Sequence, residues 1–334
     1  MSRQDKHCTE VNFEHYKELL ATSQSPSREV PSSKQPHQPD VPTQMSRSFN
    51  SKKREASPQS GNARKIVRGG AKRFGLPQVC EEGTSRQLIV REESPWDTYR
   101  RTLRCTLAGD VFIAARRSRP SQAVAIREYT KEDVAKMRRL YDILDHDNVL
   151  TARECFVNEG CMYALVNDPP LTLEQLVGCR SLYPTETELA SMVWQVLSGL
   201  CYLSDTGLEH QSLICRNILL GLDGVIKIAS LEMCVECPPG QAQKVYIKKL
   251  ASITMEVMQK YVKDDGMVGV DDVERWPVDS DAFEFLSTLS TTESIESLKE
   301  QPLVRKKGRL VGQLVLLARS VLVSARMFYS YEQE

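Results

Sequence analysis

Apolar residues recur along the chain with two different periods, one typical of helices and one typical of strands. Between 189 and 203 they fall on one face of a helix, so this stretch predicts a long buried helix. A second stripe of the same kind, from 310 to 328, predicts a C-terminal helix. The runs 217–220 and 225–228 are short and β-rich, and the Asp223-Gly224 pair between them predicts a hairpin.

The order of these patterns predicts an α+β fold. Strand-like runs dominate from 87 to 166, where the one amphipathic stretch is 131–144, and helical patterns dominate beyond 166. Residues 1–86 differ from both regions. Between 21 and 62 there are ten Ser and six Pro but only six apolar side chains, too few to offset the entropy lost on ordering. We therefore expect a disordered tail over 1–86.

Composition narrows the classes of function. Lys and Arg number 44, and so do Asp and Glu, so the overall charge favours no particular partner. The C-terminal stripe contains Gln313, Arg319 and Arg326, which a bilayer-spanning helix accepts only at high cost, so we expect no membrane association. No secretory signal is recognisable at the start, and the ten cysteines show no regular pairing, so we expect reduced thiols. Cys234 and Cys237 form a C-x-x-C without a second ligand pair, which does not favour zinc.

A basic stretch lies inside the tail. From 47 to 73 there are nine Lys or Arg and a single acid, Glu55. The clusters at 52–54 and 64–65 resemble a two-part nuclear import signal. A solvated basic linker and a weak phosphate-binding arm explain the same charges. These alternatives remain open, and we expect a cytoplasmic or nuclear location, or both.

Five short motifs follow one another in an order that resembles the catalytic core of eukaryotic protein kinases. They are a turn ending at Gly109, the run 124–127, a corner at His146, the segment 210–220 and a loop at Ser230. The family has a glycine-rich loop, V-A-I-K, a helix-to-strand corner, H-R-D-L-x-x-x-N and D-F-G at these places. Within the family, the sequence from Asn217 to Gly224, together with Cys234, is most similar to the PAK-type Ser/Thr kinases.

The resemblance also implies which parts of the machinery are replaced. Ser212 stands where the family has its catalytic Asp, Ser230 where it has the metal-binding Asp, and Met137 near the position of the helix Glu. A serine has no accessible pKa for base catalysis, and its neutral hydroxyl is a poor ligand for Mg²⁺. We therefore predict no intact catalytic residue and no metal site. The degenerate catalytic positions are His210, Ser212, Asn217 (the only remnant metal ligand) and Ser230, and the remnants of the nucleotide cleft are Gly109, Ala125, Arg127, Val166 and Leu219.

The fold implied by the resemblance is bilobal. We expect a small β-rich N-lobe at 87–166, a helical C-lobe at 167–308, and a C-terminal helix within 309–334. The C-lobe should be shortened, because the interval near 238–245 cannot hold the activation segment that forms the peptide-substrate platform of kinases. Tyr246 stands where the family has an Asp at the start of the following buried helix.

The function implied is that of a pseudokinase, an inactive member of the family that serves as an interaction or regulatory module. Its expected partner is a protein, with an active kinase among the candidates. We expect no nucleic-acid binding beyond weak contact through 47–73, and no cofactor, although weak metal-independent ATP binding stays open. The alternative is a divergent ATP-dependent Ser/Thr kinase whose acids have moved to Glu209 and Glu232. Labelling by radioactive ATP that depends on Glu232 would distinguish the two.

Overall fold

The computed structural model describes residues 88–166, 170–263, 267–307 and 311–325. The predicted disordered tail and its basic stretch lie outside these residues. Within them the structure confirms an α+β architecture with a β-rich N-lobe and a helical C-lobe. The proposed domain boundaries stay predictions.

The N-lobe is built on a six-stranded sheet. Its strand order is β1-β5-β6-β4-β3-β2, with β1 parallel to β5 and every other pair antiparallel. β1 therefore covers the edge of β5 that would otherwise be open. The strands are β1 (Ile89–Arg91), β2 (Tyr99–Thr106), β3 (Asp110–Arg116), β4 (Arg119–Tyr129), β5 (Ala152–Asn158) and β6 (Cys161–Val166).

Each face of this sheet has its own apolar layer. A four-residue helix, α1 (Pro95–Thr98), places Trp96 edge-on against Phe112 on one face, with ring centroids 5.4 Å apart. The longer α2 (Lys131–Ile143) covers the opposite face with Met137 and Leu140. Two acidic residues in the first turn of α2 suit the positive end of the helix dipole.

The C-lobe is organised around one long helix, α4 (Glu186–Asp205). It begins at a capping box in which Thr185 and Glu188 satisfy each other's backbone N–H groups, and it buries the apolar stripe that the sequence predicts. Short strands β8 (Leu208–His210), β9 (Ile218–Leu220), β10 (Ile226–Ile228) and β11 (Cys234–Glu236) follow. The remaining elements are β7 (Leu171–Thr172), α3 (Leu173–Gly178), α5 (Gln243–Gln259), α6 (Asp281–Thr288), α7 (Pro302–Lys307) and α8 (Leu314–Ala325), with 3-10 turns at Cys215–Asn217, Leu231–Met233, Ser297–Glu300 and Val311–Gln313.

The two lobes share one continuous core. The Leu150 N–H donates to the carbonyl of Ile228 (2.8 Å), and the Ile228 N–H donates to the carbonyl of Asn148 (2.9 Å). β10 is therefore hydrogen-bonded to the segment that leads into β5 of the N-lobe. Buried residues of both lobes, including Val111, Ala125 and Leu219, belong to a single apolar cluster. The lobes are therefore held together by packing as well as by hydrogen bonds.

The cysteines and the helices bear on two other possible properties of the chain, reactive thiols and a membrane-spanning segment. The eight cysteines that the structure describes are all free, and burial raises the pKa of Cys155 and of Cys234 to about 12, which makes these thiols poor nucleophiles. None of the helices in the described ranges combines the length and apolar content needed to cross a bilayer.

Candidate functional site

His210 ends β8 and is completely buried. Its Nε2–H donates to the carbonyl of Ala229 at 2.8 Å, which ties β8 to the residue before Ser230. Burial lowers the pKa of the His210 imidazole below its ordinary value, so the neutral form is favoured at physiological pH. The histidine therefore positions the loop and carries no charge into the site.

Tyr246 anchors the same strand from the far side. Its hydroxyl donates to the carbonyl of Leu208 (2.7 Å) and accepts from the N–H of His210 (3.0 Å). The side chain is fully buried on the first turn of α5. A tyrosine thus bonds to the loop backbone at the position where the family has an aspartate, and the loop keeps its support without a buried charge.

The two serines that replace catalytic acids meet at Asn217. The amide Nδ2 of Asn217 donates to the Ser212 carbonyl at 2.7 Å and lies 3.3 Å from the Ser212 hydroxyl. The Ser230 Oγ lies 3.1 Å from the Asn217 Oδ1 and 3.0 Å from the Ala108 carbonyl, so its one proton can be donated to either oxygen. The three positions are brought together as the resemblance implies, and both polar atoms of the Asn217 side chain are bonded within the chain.

The contact between Ser230 and Ala108 joins the two lobes. Ala108 belongs to the turn between β2 and β3, the counterpart of the kinase glycine-rich loop, and its exposure is 1%. Ser230 reaches it from a left-handed backbone conformation, with φ of 57°, that non-glycine residues rarely adopt. The turn therefore lies directly on the floor of the cleft, where kinases hold the phosphates of the nucleotide.

Arg127 holds this turn from above. Its guanidinium donates to the Ala108 carbonyl (2.6 Å) and to the Leu107 carbonyl, and the side chain is 4% exposed. A β-carbon on Gly109 would lie 3.3 Å from Nη1 of Arg127, and the glycine has φ of 105°. Glycine is kept here because the backbone turns sharply against the guanidinium.

α2 is joined to the loop after Ser230 by its basic side chains. Met137 lies at the expected position of the family's Glu and is fully buried among apolar residues. On either side of Met137 in the sequence, Lys136 donates through Nζ to the Glu232 carbonyl (2.5 Å), and Arg139 pairs with Glu236 (2.6 Å). The helix therefore contacts this loop through cationic side chains, and the position of the usual helix acid is apolar.

Neither of the two candidate relocated acids bonds to Asn217. Glu209 accepts from the side chain of Gln211 and lies opposite Val235 in the β8–β11 pair. Glu232 is largely buried, and this burial raises the pKa of its carboxyl, although Arg127 and Lys136 act in the opposite direction. Its Oε2 has no hydrogen-bond partner among the described residues.

The expected lining of the nucleotide cleft is buried as well. Ala125 is 2% exposed, Leu219 1% and Val166 9%, and all three pack in the core that joins the lobes. Of the residues predicted to line the nucleotide cleft, Gly109 alone is exposed. No group of three or more His, Cys, Asp or Glu in the described ranges could hold a metal ion, and Asn217 offers a single amide oxygen.

Part of this geometry has no signal in the sequence. The groups that receive Arg127, Lys136 and Ser230 are backbone carbonyls, which every residue has. The sequence does show a tyrosine at 246 where the family has an acid. The partners of its hydroxyl, Leu208 and His210, follow only from which backbone groups of β8 face it.

Comparison with known proteins shows that the chain is similar to protein kinases. Residues 104–262 match the family model described as protein tyrosine and serine/threonine kinase. Over 166 residues the chain is 30% identical to a probable serine/threonine-protein kinase of Dictyostelium discoideum, covering 46% of this chain and 14% of that protein. It is 28% identical over 108 residues to the serine/threonine-protein kinase Tao of Drosophila melanogaster (32% and 10%), and 24% identical over 170 residues to the serine/threonine-protein kinase STE20 of Debaryomyces hansenii (48% and 15%). The matched stretch is thus a small part of each of these relatives.

Proposed function

Because this chain carries a domain of the protein-kinase-like family, with residues 104–262 matching its model, we propose that it is a pseudokinase that acts as a protein-interaction or regulatory module. The observation that carries the proposal is the filling of the phosphate end of the cleft by the chain itself. Arg127 of the N-lobe and Ser230 of the C-lobe both bond to the carbonyl of Ala108. A nucleotide would have to break these bonds and expose buried polar groups, which costs about 1–3 kcal/mol for each group left unsatisfied.

The missing carboxylates support the same conclusion. Phosphoryl transfer requires metal ions that bridge the phosphates and a base that accepts the proton of the substrate hydroxyl. Ser212 and Ser230 provide neither, and the Asn217 amide is bonded to both. The expected partner is a protein, with an active kinase as one candidate, and the expected location is cytoplasmic, nuclear or both.

A nucleotide thermal-shift assay on the full chain tests the proposal. ATP is added with and without Mg²⁺, and an active Ser/Thr kinase serves as the positive control. A ligand present at about 100 times its Kd stabilises the folded state by about 2.7 kcal/mol. We expect no shift for this chain. A Mg²⁺-dependent shift at micromolar ATP would overturn the proposal that the chain itself fills the phosphate end of the cleft (the closed-cleft proposal).

A divergent kinase is the second candidate, and the buried Glu232 carboxyl with its unpaired Oε2 favours it. In that case the loop would have to slip so that Glu232 reaches a metal beside Asn217. Radioactive ATP incubated with wild type and with Glu232→Gln separates the two readings. Label transfer that is lost in the variant would establish the enzyme, and we expect none in either protein.

A further inference from the structure

Three arginines gather at one end of the N-lobe sheet. Arg116 and Arg119 lie directly opposite each other across the β3–β4 turn, and Arg117 between them donates its backbone N–H to the Thr98 carbonyl at 3.0 Å. We call Arg116, Arg117 and Arg119 the arginine patch.

The patch is unfavourable for the isolated domain. Like charges directly opposite each other on paired strands destabilise a sheet, and Arg116 and Arg119 are such a pair. All three arginines are exposed, and no ion pair joins any of them to an acid within the described ranges. Between 100 and 119 the sequence has six Arg and one acid, Asp110, which pairs with Arg104. The positive charge is therefore uncompensated at this surface.

We propose that the arginine patch is a docking surface for an acidic segment of a partner protein. The proposal deepens the function proposed above, since it gives the interaction module a surface and its partner a chemistry. Arginine suits this role because its planar guanidinium can donate two parallel hydrogen bonds to one carboxylate, which lysine cannot do. None of the basic residues between 100 and 119 is a lysine.

The charge of residues 88–334 favours a protein over a nucleic acid. From 88 to 334 there are 29 Lys or Arg and 35 Asp or Glu, a net charge of −6. A long polyanion would meet repulsion beyond the patch, whereas a short acidic segment is neutralised where it binds. At physiological salt, screening confines the attraction to about 8 Å, so only acidic groups close to the patch are attracted.

Fluorescence anisotropy of the full chain with a labelled peptide of alternating glutamate and serine tests the proposal. A peptide with glutamine in place of glutamate is the uncharged control. We expect binding of the acidic peptide at about 0.1 M salt that disappears at about 1 M, where the Debye length falls to about 3 Å. The double variant Arg116→Glu/Arg119→Glu should bind about tenfold more weakly, since two attractive pairs become repulsive.

The matched control reverses two exposed arginines outside the patch, Arg138→Glu on α2 and Arg180→Glu in the C-lobe, and should bind within about twofold of wild type. Arg119→Glu alone should raise the melting temperature, because it turns a like-charged cross-strand pair into an opposite one. The melting temperatures of both double variants are measured as well, so that a loss of binding is read only on folded protein.

Three results would overturn the proposal. The first is no salt-sensitive peptide binding, the second is equal weakening in both double variants, and the third is a fall in melting temperature for Arg119→Glu. Tighter binding of single-stranded RNA or of phosphatidylserine vesicles than of the peptide would assign the patch to that ligand instead. Mg-ATP binding would end the closed-cleft proposal and leave the peptide result unchanged, so the two fail separately.

Discussion

Replacing Tyr246 by phenylalanine removes one hydroxyl from the base of the catalytic-loop strand. In the β8–β11 pair, the Gly207 carbonyl accepts from the N–H of Cys237, and the Gln211 N–H donates to the carbonyl of Met233. Alternate residues of an antiparallel strand point their backbone groups to opposite sides. The N–H of His210 and the carbonyl of Leu208, both of even parity, therefore point away from β11 and toward Tyr246.

The expected cost follows from these two bonds. The site is fully buried, so the variant leaves a backbone donor and a backbone acceptor without the hydroxyl. An unsatisfied buried group costs about 1–3 kcal/mol, and local relaxation recovers part of this, so we expect a loss of about 2 kcal/mol in the free energy of unfolding. For a domain of this size, the melting temperature should fall by about 4–8 °C.

Urea denaturation and hydrogen exchange measure the effect. The exchange rate of the His210 amide should rise together with the loss of stability, because this amide loses its acceptor. Tyr183→Phe is the matched control: Tyr183 is half-buried and its ring contacts Lys260 and Arg275, contacts that phenylalanine keeps. We expect the control to stay within about 0.5 kcal/mol of wild type.

A Tyr246→Phe protein as stable as wild type, with unchanged exchange at His210, would refute the anchoring role. If stability fell but the His210 amide stayed protected, the cost would come from packing, and the hydrogen bonds would have to be assigned elsewhere.

Three further predictions concern other parts of the domain. Ser230→Asp puts a carboxylate against the Ala108 carbonyl, so unfolding by urea should show a loss of about 1–3 kcal/mol, without any gain of Mg-ATP binding in the thermal-shift assay. Gly207→Ala forces a left-handed φ of 71° and a β-carbon 2.9 Å from a backbone oxygen, and should lower the melting temperature, whereas Gly312→Ala meets nothing within 4 Å and should not. Burial lowers the pKa of Lys260 from 10.5 to about 8, so the unfolded chain binds the extra proton between these values. The unfolding free energy of wild type should therefore rise with pH across this window relative to Lys260→Met, and parallel curves would contradict the assignment.

Much of the architecture was determined by local patterns in the sequence. The stripe of α4 and the Asp223-Gly224 hairpin were predicted because periodicity and turn chemistry act within a few residues. The hairpin forms between β9 and β10, with Leu220 opposite Ile226. The order of motifs, from Gly109 to Ser230, revealed the resemblance to protein kinases because spacing survives the loss of the individual acids.

Only the tertiary structure decided what fills the cleft. The sequence showed that acids were missing at 212 and 230, but an open, empty cleft and a closed one are compatible with the same substitutions. Closure depends on the hydrogen bond from the Ser230 hydroxyl to the Ala108 carbonyl, two groups that are 122 residues apart in the sequence. It depends also on Arg127, whose guanidinium bonds to the same carbonyl. Such contacts depend on how the two lobes meet, and their acceptors are backbone oxygens that carry no residue-specific signal, so no reading of side chains along the chain could have predicted them.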